Sequence, residues 1–185
     1  MNLNNIKKYL LRVINFLFFY FGWGLCLQQA SINSGWLGPL VVLGMFLFHL
    51  YMIQERLFEL VFVPTMAFLG SITDTVYMWS GLITYEAMPS WLNWWAPPWI
   101  FSVWVLFAMS INHSLIWMKE RWWLAIIFGA GGACLTYSAG EVIGACNFHE
   151  PFPVVMMVIG SVWSFFMPLS IWYANWLKKT VGDLS

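Results

Sequence analysis

Six apolar runs, each near the roughly 20 residues that a helix needs to cross hydrocarbon, fill most of this 185-residue chain. They lie near residues 11–30, 37–53, 59–81, 97–118, 122–145 and 153–176. The runs are apolar throughout rather than alternating, which excludes a transmembrane barrel. Composition supports the same reading. The chain is 61% hydrophobic and only 9% charged, where a soluble domain carries about 25% charged residues. The fold class expected is an all-α membrane protein, a bundle of about six transmembrane helices forming one domain over residues 1–185.

Basic residues set the expected orientation. Lys7, Lys8, Arg12, Arg56, Lys119, Arg121, Lys178 and Lys179 all fall in or beside segments 1–10, 54–58, 119–121 and 177–185. The alternate connectors, 31–36, 82–96 and 146–152, carry none. By the positive-inside rule both termini are expected to be cytoplasmic. The apolar run after Lys7 and Lys8 lacks a clean small-x-small cleavage site, so it reads as a retained first span. Tryptophans such as Trp91, Trp94, Trp95, Trp122 and Trp123 cluster near the ends of the runs, as interfacial indoles do. The net charge of zero leaves no basic cluster for a nucleic-acid backbone. Cys26, Cys134 and Cys146 have no metal-type spacing and read as small buried hydrophobes.

Polar residues inside the spans mark two levels. Such groups are costly in hydrocarbon and usually face the bundle interior. At about 1.5 Å of rise per residue, His49 in the second span and His113 in the fourth reach a similar depth in the cytoplasmic half, with Asn112 and Asn15 close to it. Haem ligation, a metal site and a proton relay are the functional readings; a structural hydrogen-bond layer is the plainer one. No third metal ligand is evident at that depth, because Glu55 and Glu59 count out nearer the interface. Neither a metal nor another cofactor is therefore expected. On the external side, Asp74 in the third span and Tyr137 in the fifth reach one height, with Glu141 a turn further out and Gln28, Gln29, His149 and Glu150 nearby. Asp74, Tyr137 and Glu141 are expected to border one outward-opening polar pocket. If the carboxyl of Asp74 is a functional cost and not a brace, Asp74→Leu would stabilise the fold.

The fifth span also carries Gly132, Thr136, Gly140 and Gly144 at every fourth position, a stripe expected to let another helix pack closely. No GxSxG or HExxH motif occurs, and a phosphate loop is excluded because no GK[ST] follows these glycines.

The segments "NFLFFYFGWGLC", "GSITD", "PSWLNWW", "VLFAMSINHSLIWM" and "GAGGACLTYSAG" together resemble a family of bacterial integral membrane proteins known as domain of unknown function 2878. The resemblance covers roughly residues 14–175. In that family a proline often follows the paired glycines; here Ala133 takes its place, which bears on how the fifth span bends. The resemblance implies an inner membrane, several spans, no assigned activity, and genes lying beside those of enzymes that modify fatty acyl phospholipids. Three functions are thus carried forward: handling of membrane lipid or an accessory role in its modification, a small proton- or cation-coupled transporter, and a structural membrane subunit. Whether the chain is an enzyme is left open. Membrane lipid is the expected partner, with homo-oligomers and other membrane proteins open alternatives.

Overall fold

A computed structural model describes residues 3–182. Residues 1–2 and 183–185 lie outside the described residues, as do the side chains of Lys7 and Lys8 that the charge-based orientation uses. Six α-helices are described: α1 (Leu3–Ser31), α2 (Leu37–Met52), α3 (Arg56–Trp79), α4 (Pro98–Ile111), α5 (Trp122–Ile143) and α6 (Phe152–Gly182). The protein is an all-α membrane-type bundle. α1, α3, α5 and α6 are long and apolar enough to cross a membrane. Their outward faces carry Leu57, Phe68, Leu135, Val142, Phe165 and Leu169, all exposed, as suits a helix whose solvent is lipid.

α2 and α4 are shorter, with 16 and 14 residues. At about 1.5 Å per residue they fall short of the roughly 30 Å hydrocarbon thickness. α4 is surrounded by α1, α2, α3 and α6, and Trp104, Leu106, Phe107, Ala108, Met109, Ser110 and Ile111 on it are buried. This corrects the expected fourth span of 97–118. The helix stops at Asn112, and the chain continues through turns and a short 3-10 segment, Ile116–Met118. Non-helical backbone is tolerated at membrane depth where protein covers it and meets its polar groups. Here Asn15 Nδ2 donates to the Met109 carbonyl at 3.1 Å, and the N–H groups of His113 and Leu115 both return to the Ser110 carbonyl.

A feature absent from the sequence expectation is a two-stranded antiparallel ladder, β1 (Ile83–Tyr85) with β2 (Cys146–Phe148). It ties the α3–α4 connector to the α5–α6 connector, with Tyr85 opposite Cys146. β2 follows α5 at once because Gly144, at φ +85°, ends that helix in the left-handed region. Its N–H bonds the Glu141 carbonyl while the next, that of Ala145, bonds Gly140, the paired closure of a Schellman motif.

Candidate functional site

α3 carries a polar residue into each end of the bundle, and each gathers partners from other elements. At one end is Asp74, only 1% exposed. Its Oδ1 accepts from the Tyr85 hydroxyl at 2.5 Å and the Tyr137 hydroxyl at 2.7 Å. Its Oδ2 accepts from the Trp104 indole N–H at 2.6 Å. No ion pair among the described residues involves Asp74; three directed donors compensate the carboxyl instead. Burial, and after it the carboxylate of Asp74, pushes the Tyr85 phenol well above its ordinary range, so it stays a donor.

Local packing explains how Trp104 gets there. Gly70 lies one helical turn before Asp74, and the Trp104 ring covers the bare backbone at that glycine. On its other side the ring stacks on Trp163 of α6 at 4.7 Å and 11°. Held between the two, the indole N–H meets the carboxyl.

Asp74 and Tyr137 are therefore joined directly. Glu141 is not part of the group. It is partly exposed, lines none of the adjoining cavity, and its carboxylate takes no hydrogen bond from the described residues. It lies nearer β2, where burial first and Glu141 second push the Cys146 thiol up to about 12. Tyr85 and Trp104 are partners that depth counting along the spans does not find.

The Asp74 group forms one end of a cavity of about 450 Å³, within the about 300–1,000 Å³ of small-molecule sites. The cavity runs between α1 and α5 with α4 and α6 behind, from Tyr85 and Cys146 to Leu115, Trp117 and Met118. Its wall is apolar almost throughout, built from residues such as Phe19, Val103, Phe107, Ala133 and Met167. Tyr20, Phe128 and Leu135 also line it and are exposed on the outer face of the bundle, so its mouth opens sideways. Trp23 and Trp163 line the cavity while their indole nitrogens are buried; that of Trp23 has no hydrogen-bond partner among the described residues, and the Trp163 indole faces the Tyr137 hydroxyl.

The small-residue stripe takes a different role from the close packing expected of it. A Cβ added at Gly132 would meet nothing within 4 Å, and Gly132, Thr136 and Gly140 line the cavity. Close approach to α6 occurs instead at Gly129, where a Cβ would lie 2.6 Å from Met167 and 2.7 Å from the Trp163 carbonyl.

At the other end, His49 of α2, Glu59 of α3 and His113 of the turn after α4 converge. His113 Nε2 lies 3.3 Å from Glu59 Oε1, and His49 Nε2 lies 3.7 Å from Glu59 Oε2. The two imidazoles meet edge to face at 4.9 Å. The sequence places Glu59 near an interface; in the structure it is 2% exposed, because the short connector between α2 and α3 turns its side chain inward beside His49. Asn112 stays out of this group and accepts from the Lys119 ammonium at 2.6 Å. Asn15 belongs to a separate pair, accepting from the Ser114 hydroxyl at 3.1 Å.

No curated protein and no solved structure matches the chain. The model of a family described as "Protein of unknown function (DUF2878)" matches residues 12–169. With most of its length matched, and with the helices and buried polar groups set out above inside the matched region, this chain belongs to the DUF2878 family.

Proposed function

We propose that this protein takes a single membrane lipid out of the bilayer sideways, holding its chain in the cavity between α1 and α5. The observation that carries the reading is the cavity itself: an apolar trough with a lateral mouth and a buried carboxyl at one end. An acyl chain matches the wall. Its ester or amide oxygens would accept from the indole N–H of Trp23, which has no partner among the described residues, once that ring turns toward the cavity. A carboxylate has about four acceptor positions; three are taken at Asp74, which leaves one for a donor on the head group. Gly132 and Thr136 keep the mouth open by having little side chain to close it. The segregation of Lys and Arg supports placing the Asp74 end on the external side of a bacterial inner membrane. Handling of lipid, either alone or beside an enzyme that modifies it, is the role this fits.

The transport reading is less well supported. A proton or cation path would have to join Asp74 to Glu59, and the α3 residues between them include buried Phe62, Val63, Met66 and Ala67. The structural-subunit reading leaves the open cavity without a use.

Lipid extraction and native mass spectrometry of the purified protein test the proposal. One tightly held acyl lipid per chain is expected in wild type, and its loss in Gly132→Leu, which fills the mouth. If wild type carries only exchangeable annular lipid, or Gly132→Leu retains the same bound species, the reading fails.

A further inference from the structure

We propose that His49, Glu59 and His113 form a binding site for one divalent first-row transition-metal ion, of the class of Zn²⁺. The three offer two imidazole nitrogens and a carboxylate oxygen, all within 4.8 Å of one another. Two histidines with one carboxylate suit zinc and ferrous iron alike. Donors bound to such an ion at about 2.0–2.2 Å sit roughly 3–3.5 Å apart in tetrahedral geometry. The His113 to Glu59 separation of 3.3 Å meets this already. The His49 to Glu59 separation, to the other carboxylate oxygen, is 3.7 Å, and all three donors lie within 4.8 Å, so the Glu59 side chain and the imidazoles would draw in by about 1 Å on an ion.

A second, independent observation points to a ligand here. His49 Nε2 and Glu59 Oε2 face each other, both residues are more than nine-tenths buried, and neither atom has a hydrogen-bond partner among the described residues. A finished histidine–carboxylate bond would have drawn these atoms together, since a buried polar atom left unpaired is unfavourable. An ion between them satisfies both at once. The three ligands come from separate elements, so the ion would also join α2 and α3 to the turn after α4. His113 is the least buried of the three and supplies the entry side. Three protein ligands leave coordination positions open, and the segment carrying His113 also lines the cavity through Leu115, Trp117 and Met118.

The test does not depend on the lipid reading. Purified full-length protein is stripped with a chelator and titrated with Zn²⁺ by calorimetry, then with Co²⁺ by visible absorption. One equivalent of Zn²⁺ is expected, with a Co²⁺ ligand-field band and a raised Tm. Loss of residues that only support metal ligands weakens binding about 10–100-fold, so His49→Ala, His113→Ala and the shape-preserving Glu59→Gln should each weaken it by at least that factor. His149→Ala, at the opposite end of the bundle, should bind as wild type does. Absence of stoichiometric binding in wild type overturns the proposal. So does binding that survives unchanged in Glu59→Gln, or binding that depends on His149.

Discussion

Gly70 and Trp104 interlock: a single methyl group on the glycine would fall inside the indole ring that donates to Asp74. The carboxyl of Asp74 therefore depends on a residue with no side chain one turn away. Gly70→Ala should push the indole off the carboxyl and destabilise the fold by about 1–3 kcal/mol, the usual cost of overpacking. Gly131→Ala, inside α5 and where an added Cβ meets nothing within 4 Å, should not destabilise, and by helix propensity should stabilise by up to about 1 kcal/mol. Thermal unfolding in detergent compares them; equal Tm shifts would refute the interlock.

Asp74→Leu tests the same carboxyl from the other side. The sequence alone allows this substitution to stabilise, by removing a costly charge. The structure reverses that expectation, because leucine would orphan three buried donors, at about 1–3 kcal/mol each. A Tm well below wild type is expected, and a raised one would contradict the bonding described. Asp74→Asn should fold. Its amide can turn so that Oδ1 accepts from Trp104 while Nδ2 donates to the tyrosine hydroxyls. It loses the charge, so retained stability together with weakened lipid retention is the expected pair of results.

Tyr85→Phe and Tyr137→Phe each remove one donor from Asp74 Oδ1 and nothing else from the carboxyl. Each should cost about 1.5–3 kcal/mol, as for bonds to charged groups. The double variant should depart from additivity, since the two share one oxygen atom. A double-mutant cycle on Tm or denaturant midpoint measures this, and strict additivity would argue that the hydroxyls do not meet at Asp74.

Reporter fusions check the orientation. Fusions after residues 88 and 149 should report the external side and those after 56 and 120 the cytoplasmic side, following the distribution of Lys and Arg. An external signal at residue 120 would break the six-span arrangement.

The helices were legible because span length is a strong, local signal; α1 and α6 extend beyond their expected outer bounds as polar-ended continuations, and α4 alone stops well short of its expected extent. The apolar run there continues past Ile111, yet Asn112 ends the helix inside the bundle, where neighbouring side chains rather than hydropathy decide the backbone. Depth counting brings Asp74 and Tyr137 to one height, since rise per residue is nearly constant. It misses Tyr85, which reaches Asp74 from a connector with no helical period, held there by pairing with a strand some 60 residues later. Trp104 is one of 14 tryptophans, and an interfacial belt hides a single indole turned inward. Glu59 escapes because its nominal depth is near an interface; its burial comes from the tight α2–α3 turn. The stripe on α5 shows a similar limit: spacing reveals that a face is small, but not whether another helix or an empty space lies against it.

The wide spacing of the Asp74 partners along the chain has a consequence for biogenesis. Synthesis runs from the N-terminus, so Asp74 leaves the ribosome before every one of its donors: Tyr85 follows by 11 residues, Trp104 by 30 and Tyr137 by 63. An acidic group inside a span raises the cost of inserting an isolated helix, by about 2.5–3.5 kcal/mol at the helix centre and less toward the end where Asp74 lies. α3 thus reaches the insertion machinery with its most expensive residue still uncompensated. Its stable residence in the bilayer is tied to the arrival of α4 and then α5, which makes the first half of this protein reliant on a second half not yet translated.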